Sequence, residues 1–111
     1  KSSGNKSKNK IYIIQQVDRK IDLEEVAEQK GWSMSTLIDE MEIICFAGTR
    51  LNLDYYLESF IDEDLQADII DYFLDAESDS IADALDEFDG EDITEDDMRL
   101  MRIKFLSEHA N

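Results

Sequence analysis

The stretch Ile21-Asp22-Leu23-Glu24-Glu25-Val26-Ala27-Glu28-Gln29-Lys30-Gly31-Trp32-Ser33-Met34-Ser35-Thr36-Leu37 decides the fold. Asp22 stands where a helix N-cap is wanted, with Glu25 at the N3 position, an Asp version of the capping box. Ile21, just before the cap, is placed to staple against Val26. Leu23, Val26 and Ala27 give this short helix an inner face, and Gly31 occupies a left-handed C-terminal position. The same grammar repeats at once. Ser33 caps a second helix, Trp32 precedes the cap and Leu37 lies at N4. Leu37, Met41, Ile44 and Cys45 continue the apolar stripe until Gly48 stops it. Only Lys30 to Ser33 remain for the turn, and a short helix, a tight glycine-containing turn and a longer helix outline a helix-turn-helix.

Working outward, the pattern stays helical, and the chain has no proline to interrupt it. Upstream, Ile11, Ile14, Val17 and Ile21 recur at three or four residues and predict an amphipathic helix. Downstream, Thr49–Asp54 reads as a loop or short extended stretch, and Asp54 is expected to cap a helix over Tyr55–Ile61. Leu65, Ile69, Phe73 and Leu74 mark a helix beginning near Asp62. Ser80 caps a short helix with Ile81, Leu85 and Phe88 that ends at Gly90. Thr94 opens the last, with Asp97 at N3, an Ile93–Met98 staple, and Met98, Met101 and Phe105 facing inward. Arg102 and Lys104 fall in its C-terminal half, where cations suit the helix dipole. Six or seven helices and little strand predict an all-α fold, a small multi-helix domain.

The 111 residues carry 11 Lys+Arg against 28 Asp+Glu, a net charge of −17. So negative a chain is unsuited to coating nucleic acid or anionic lipid, since both draw affinity from Lys and Arg. The charge is unevenly placed, however. Residues 1–55 hold eight cations against nine carboxylates, whereas residues 56–111 hold three against nineteen. The organisation expected is a basic flexible linker over 1–9, a helix-turn-helix unit over 10–57 and an acidic helical extension over 58–111 packed on it. A chain that opens on a linker reads as a fragment of something larger. A hydrophobic share of 42% supports a core, and no apolar run reaches the length of a membrane span. The expected setting is the bacterial cytoplasm, with no membrane partner.

No catalytic set is visible. The phosphate-loop pattern GxxxxGK[ST] is absent. His109 is a lone terminal imidazole, and Cys45, the single cysteine, lies on the apolar stripe as a small core residue. The acidic run Asp86–Asp97 invites a calcium-loop reading, but with Gly90 at position 6 the first ligand position is Leu85, position 8 is Asp92 and position 12 is Asp96 rather than Glu. A solvated loop is expected instead. The carboxylates Asp62–Asp64 and Glu95–Asp97 read as helix-start compensation, and Tyr55, Tyr56, Phe60, Tyr72 and Phe73 as core or core-edge residues. No metal or cofactor is expected in this chain.

The helix-turn-helix is the one constellation with functional reach. As a DNA reader it would present Ser33, Ser35 and Thr36 at the start of its second helix, with Lys30 and Arg50 flanking and Lys10 upstream. Against this, the same helix carries Asp39, Glu40 and Glu42, which face or flank phosphates unfavourably. DNA contact is therefore expected to be weak or indirect. The alternatives are an acidic protein-interaction or autoinhibitory module that does not bind DNA, and a free-standing helix-turn-helix regulator.

The run from Ile21 to Leu37, followed by Gly48 and Leu51-Asn52-Leu53-Asp54, resembles the helicase-associated helix-turn-helix domain. With the ending Met101-Arg102-Ile103-Lys104-Phe105-Leu106-Ser107-Glu108, residues 8–111 look like the C-terminal region of RecQ-type ATP-dependent DNA helicases of Bacteroides-like bacteria. The resemblance implies a non-catalytic accessory domain of a 3′-to-5′ unwinding motor acting in recombination and repair. It also implies that ATP, magnesium and zinc belong to other parts of that parent. Its partners would be DNA, other domains of the same helicase or a basic protein.

Overall fold

The computed structural model describes the backbone of residues 2–109 and the side chains of residues 8–109. Among the described residues seven helices follow one another: α1 (Ser2–Asp18), α2 (Leu23–Lys30), α3 (Met34–Phe46), α4 (Asp54–Leu57), α5 (Glu63–Asp75), α6 (Ile81–Glu87) and α7 (Glu95–His109). No strand occurs among the described residues, and the fold is all-α.

Most helix starts follow from local chemistry. Asp22 accepts the Glu24 N–H at 2.8 Å, Ser33 that of Thr36 at 3.1 Å, and Ser80 that of Asp83 at 3.2 Å. Thr94 and Asp97 form a reciprocal capping box, each side chain accepting the other's backbone N–H at 3.1 and 3.2 Å. The box expected at Asp22 is only half made, because Glu25 accepts from Gln29 instead. Gly31 closes α2 at φ 72°, with its own N–H on the Glu28 carbonyl and the Trp32 N–H on that of Ala27. Space around Gly31 is open, so Gly31→Ala meets only the left-handed backbone penalty. The expected loss is about 1 kcal/mol, read as a shift in the urea midpoint without a change in slope.

Four expectations are corrected. The segment read as a linker over 1–9 is helical from Ser2, the start of α1; its first residue, Lys1, lies outside the described residues. In α1 the buried residues are Ile13 and Val17, while Ile11 faces solvent. The apolar run Ile11–Ile14 is nearly continuous, so periodicity alone cannot choose its inner face. Asp54 caps nothing: its own N–H goes to Asn52 Oδ1, its carboxylate to Lys104 Nζ at 2.5 Å, and α4 ends after four residues. In α5, Ile69 and Phe73 take the core face and leave Leu74 exposed.

One hydrophobic cluster runs through all seven helices. It includes Leu37, Ile38, Met41, Ile44 and Cys45 of α3 and Met98, Leu100, Met101 and Ile103 of α7. Helix α7 is central, packing on α3, α5 and α6. Leu51 and Leu53 are buried in the loop after α3, and the Leu51 N–H donates to the buried Ser107 hydroxyl of α7 at 3.0 Å. The acidic second half thus shares its core with the first. No helix among the described residues is long and apolar enough to cross a membrane.

Candidate nucleic-acid interface

The tight α2–α3 turn is held by the Gly31 and Ser33 caps and by the half-buried Trp32, packed against the core that contains Leu37. Lys30, in the last turn of α2, lies 4.7 Å from the Tyr12 ring centroid and 5.8 Å from that of Trp32. Tyr12 donates its hydroxyl to Gln29 Oε1 at 2.9 Å, which joins α1 to the end of α2. Burial, with Glu25 nearby, raises the Tyr12 phenol above its ordinary value and keeps it a donor.

The six candidate residues are spread over α1, α2, the turn, the start of α3 and the loop after it. Lys10 is exposed on α1. Ser33 and Ser35 are exposed and Thr36 is half-buried at the start of α3. The Ser33 hydroxyl is committed twice, accepting the Thr36 N–H and donating to Thr36 Oγ1 at 3.1 Å. Arg50 is exposed beyond the far end of α3. The 13 residues of α3 set its two ends roughly 20 Å apart. What the fold does gather is Lys30 with two aromatic rings beside the N-terminus of α3.

The rest of α3 is anionic or apolar on its outer side. Asp39, Ile43 and Phe46 are exposed, and no Lys or Arg lies between Met34 and Phe46. Glu42 takes the Arg99 Nε and Nη2 donors at 3.0 and 2.8 Å, and Arg102 Nη2 at 2.8 Å. Asp39 pairs with Arg99 as well. Burial alone would raise the Glu42 carboxyl, but the hydrogen bonds from Arg99 and Arg102 outweigh it and hold the group below its ordinary value. Arg102 also donates to the Asp79 carbonyl at 3.0 Å and stacks 5.5 Å from the Phe46 ring.

Position in the last helix suggests that Arg102 and Lys104 complement its dipole; the structure uses them as ties between elements. Lys104 bridges Asp54 of α4 and Glu108 of its own helix at 2.5 and 2.8 Å. The matching signal is present as two i,i+3 pairs, Asp39/Glu42 and Arg99/Arg102, on helices far apart in sequence. The three cations of the second half are therefore all engaged in ion pairs, while the carboxylates of α5, α6 and their loops stay exposed.

Two packed helices, the glycine turn between them and the helix that precedes them define the class: an all-α helix-turn-helix protein. The family model described as RecQ-1-like, helix-turn-helix domain matches residues 7–57, and that stretch is similar to a RecQ-type helix-turn-helix region. No curated protein matches the chain. Among the described residues, no group of three or more His, Cys, Asp or Glu side chains is placed to hold a metal ion. Cys45 is buried 3.8 Å from the Ser107 hydroxyl, in a packing position.

Proposed function

We propose that this chain is a non-catalytic accessory region of a RecQ-like DNA helicase, and that it positions partners and tunes DNA engagement rather than reading bases. The observation that supports this is the outer face of α3. A recognition helix needs donors and cations along the side it lays in the major groove. Here that side carries Asp39, Ile43 and Phe46, with Glu42 tied to Arg99 and Arg102. ATP hydrolysis, magnesium and zinc belong in this reading to other parts of the parent helicase. DNA meets the chain, weakly, at the Lys30 corner, where a cation and two aromatic rings flank the first turn of α3.

The test is a titration of labelled single-stranded and forked DNA at low salt, followed by amide shifts. The expected result is weak, salt-sensitive movement at Lys10, Lys30 and Ser33–Thr36, with Asp39, Ile43 and Phe46 unmoved. Saturable binding with shifts along Asp39–Phe46 would overturn the proposal in favour of base reading. A second reading, in which the acidic half lies against the helicase's own DNA channel as a phosphate mimic, is favoured by one observation. Residues 51–98 contain no Lys or Arg at all.

A further inference from the structure

Beside the helix-turn-helix, α4, α5 and α7 enclose an open groove of about 690 Å³. Ile61, Ala67 and Ile70 supply the apolar part of its lining. The exposed Leu74 lies one turn beyond Ile70 on α5, so Ala67, Ile70 and Leu74 form a stripe at helical spacing along the groove and past its end. Glu58, Glu63 and Asp71 line the walls and meet no cation among the described residues. The one cation of the lining, Lys104, is already held between Asp54 and Glu108. Burial opposes its charge, yet its hydrogen bonds to those carboxylates raise it above the ordinary lysine value, so it stays an ammonium.

We infer that this groove docks a basic amphipathic protein segment, a helix with aliphatic residues on one face and Lys or Arg on its flanks. This rests on the partner-positioning reading above and names the partner's chemistry. Two features select that occupant. The Ala67, Ile70 and Leu74 stripe matches an aliphatic face at three- and four-residue spacing. The unpaired wall carboxylates favour a cationic flank and disfavour an acidic one. The other occupants fit less well: a second copy brings its own charge of −17 against these walls, and an anionic membrane or nucleic acid meets the same repulsion.

The probe is a synthetic amphipathic helix with Leu on one face and Arg on its flanks, titrated into the full chain. The controls are a scrambled peptide of equal charge and a version with every Arg replaced by Glu. Amide shifts are expected on residues 58–75 and 104–108. The paired reversal Glu58→Lys and Asp71→Lys, both at exposed positions, is expected to weaken binding about tenfold or more. Scrambling is expected to weaken it comparably, because it destroys the apolar face at constant charge. Circular dichroism of the reversal variant checks that it is folded. Equal binding of the scrambled peptide, indifference to the reversal, shifts centred on Asp39–Phe46, or no binding at all would each overturn the inference. Peptide failure alongside the expected DNA shifts sinks only this groove. Base-face shifts with DNA sink the reading beneath it.

Discussion

Replacing Glu42 by alanine is expected to destabilise the protein by about 3 kcal/mol, a large effect for one partly exposed helix residue. The substitution does not merely delete an ion pair. It leaves Arg99 and Arg102, whose side chains are only 13% and 15% exposed, facing a site from which their shared acceptor is gone. Arg99 keeps Asp39, and for Arg102 the Asp79 carbonyl remains, so the loss falls short of a fully uncompensated buried charge. Glu42→Gln, which keeps an acceptor but no charge, should lose about half as much. The pH dependence follows from the depressed Glu42 carboxyl. A group held lower in the folded state than in the unfolded chain stabilises fully above its unfolded value, here 4.5, and loses that contribution as pH falls through its folded value. The gap between wild type and Glu42→Ala is therefore widest near neutrality and narrows below pH 4.5. Denaturant titrations at several pH values check it, and a gap that stays constant into acid would mean that packing, not charge, sets the effect.

The second large effect concerns α7. Met101 is fully buried at the centre of the shared core, and Met101→Asp places a carboxylate there with no partner. The expected cost exceeds about 4 kcal/mol, enough to unfold most domains of this size. The informative part is where the damage appears. Trp32, the only tryptophan, lies in the helix-turn-helix, whereas Met101 lies in the acidic half. Because α3 and α7 bury their apolar faces against each other, Trp32 fluorescence and far-ultraviolet circular dichroism should lose their transitions together. A variant that keeps a native Trp32 transition while half the helicity melts would show two independent units. The same packing predicts that a chain cut after residue 57 does not hold a stable helix-turn-helix, since the cut strips α3 of Met98, Leu100, Met101 and Ile103.

Features governed by neighbours in the chain are legible in the amino-acid sequence itself. Asp22, Gly31, Ser33, Ser80 and Thr94 act within about four residues of themselves, so the local pattern fixes their roles. Leu37, Met41, Ile44 and Cys45 are readable because one helix face carries them. Periodicity makes α7 one-sided, with Met98, Met101 and Phe105 inward, yet Leu100 and Ile103 are also fully buried. A helix wrapped by three others has no single apolar stripe, and a period-based reading finds only part of its core. The ion pairs that tie Arg99, Arg102 and Lys104 to other helices escape the sequence for a related reason. Their partners lie 50 to 60 residues away, and composition reports only how many charges exist. At the candidate interface, the place of Lys30 beside the turn is a sequence feature, but its contact with Tyr12 spans two helices and depends on the fold.

The placement of the lysines also decides how this protein responds to reagents and proteases. Between Arg50 and Arg99 trypsin has no bond to cleave, so the acidic face can leave a digest only as one long peptide. Amine-directed cross-linkers find lysines on the first 30 residues and then only Lys104, whose ammonium is clamped between two carboxylates. Lysine cross-linking of any complex will therefore map the α1–α2 side and leave the groove and the α5–α6 surface unseen. Carboxylate-directed chemistry, or an acid-specific protease such as one cutting after glutamate, reports on that side instead.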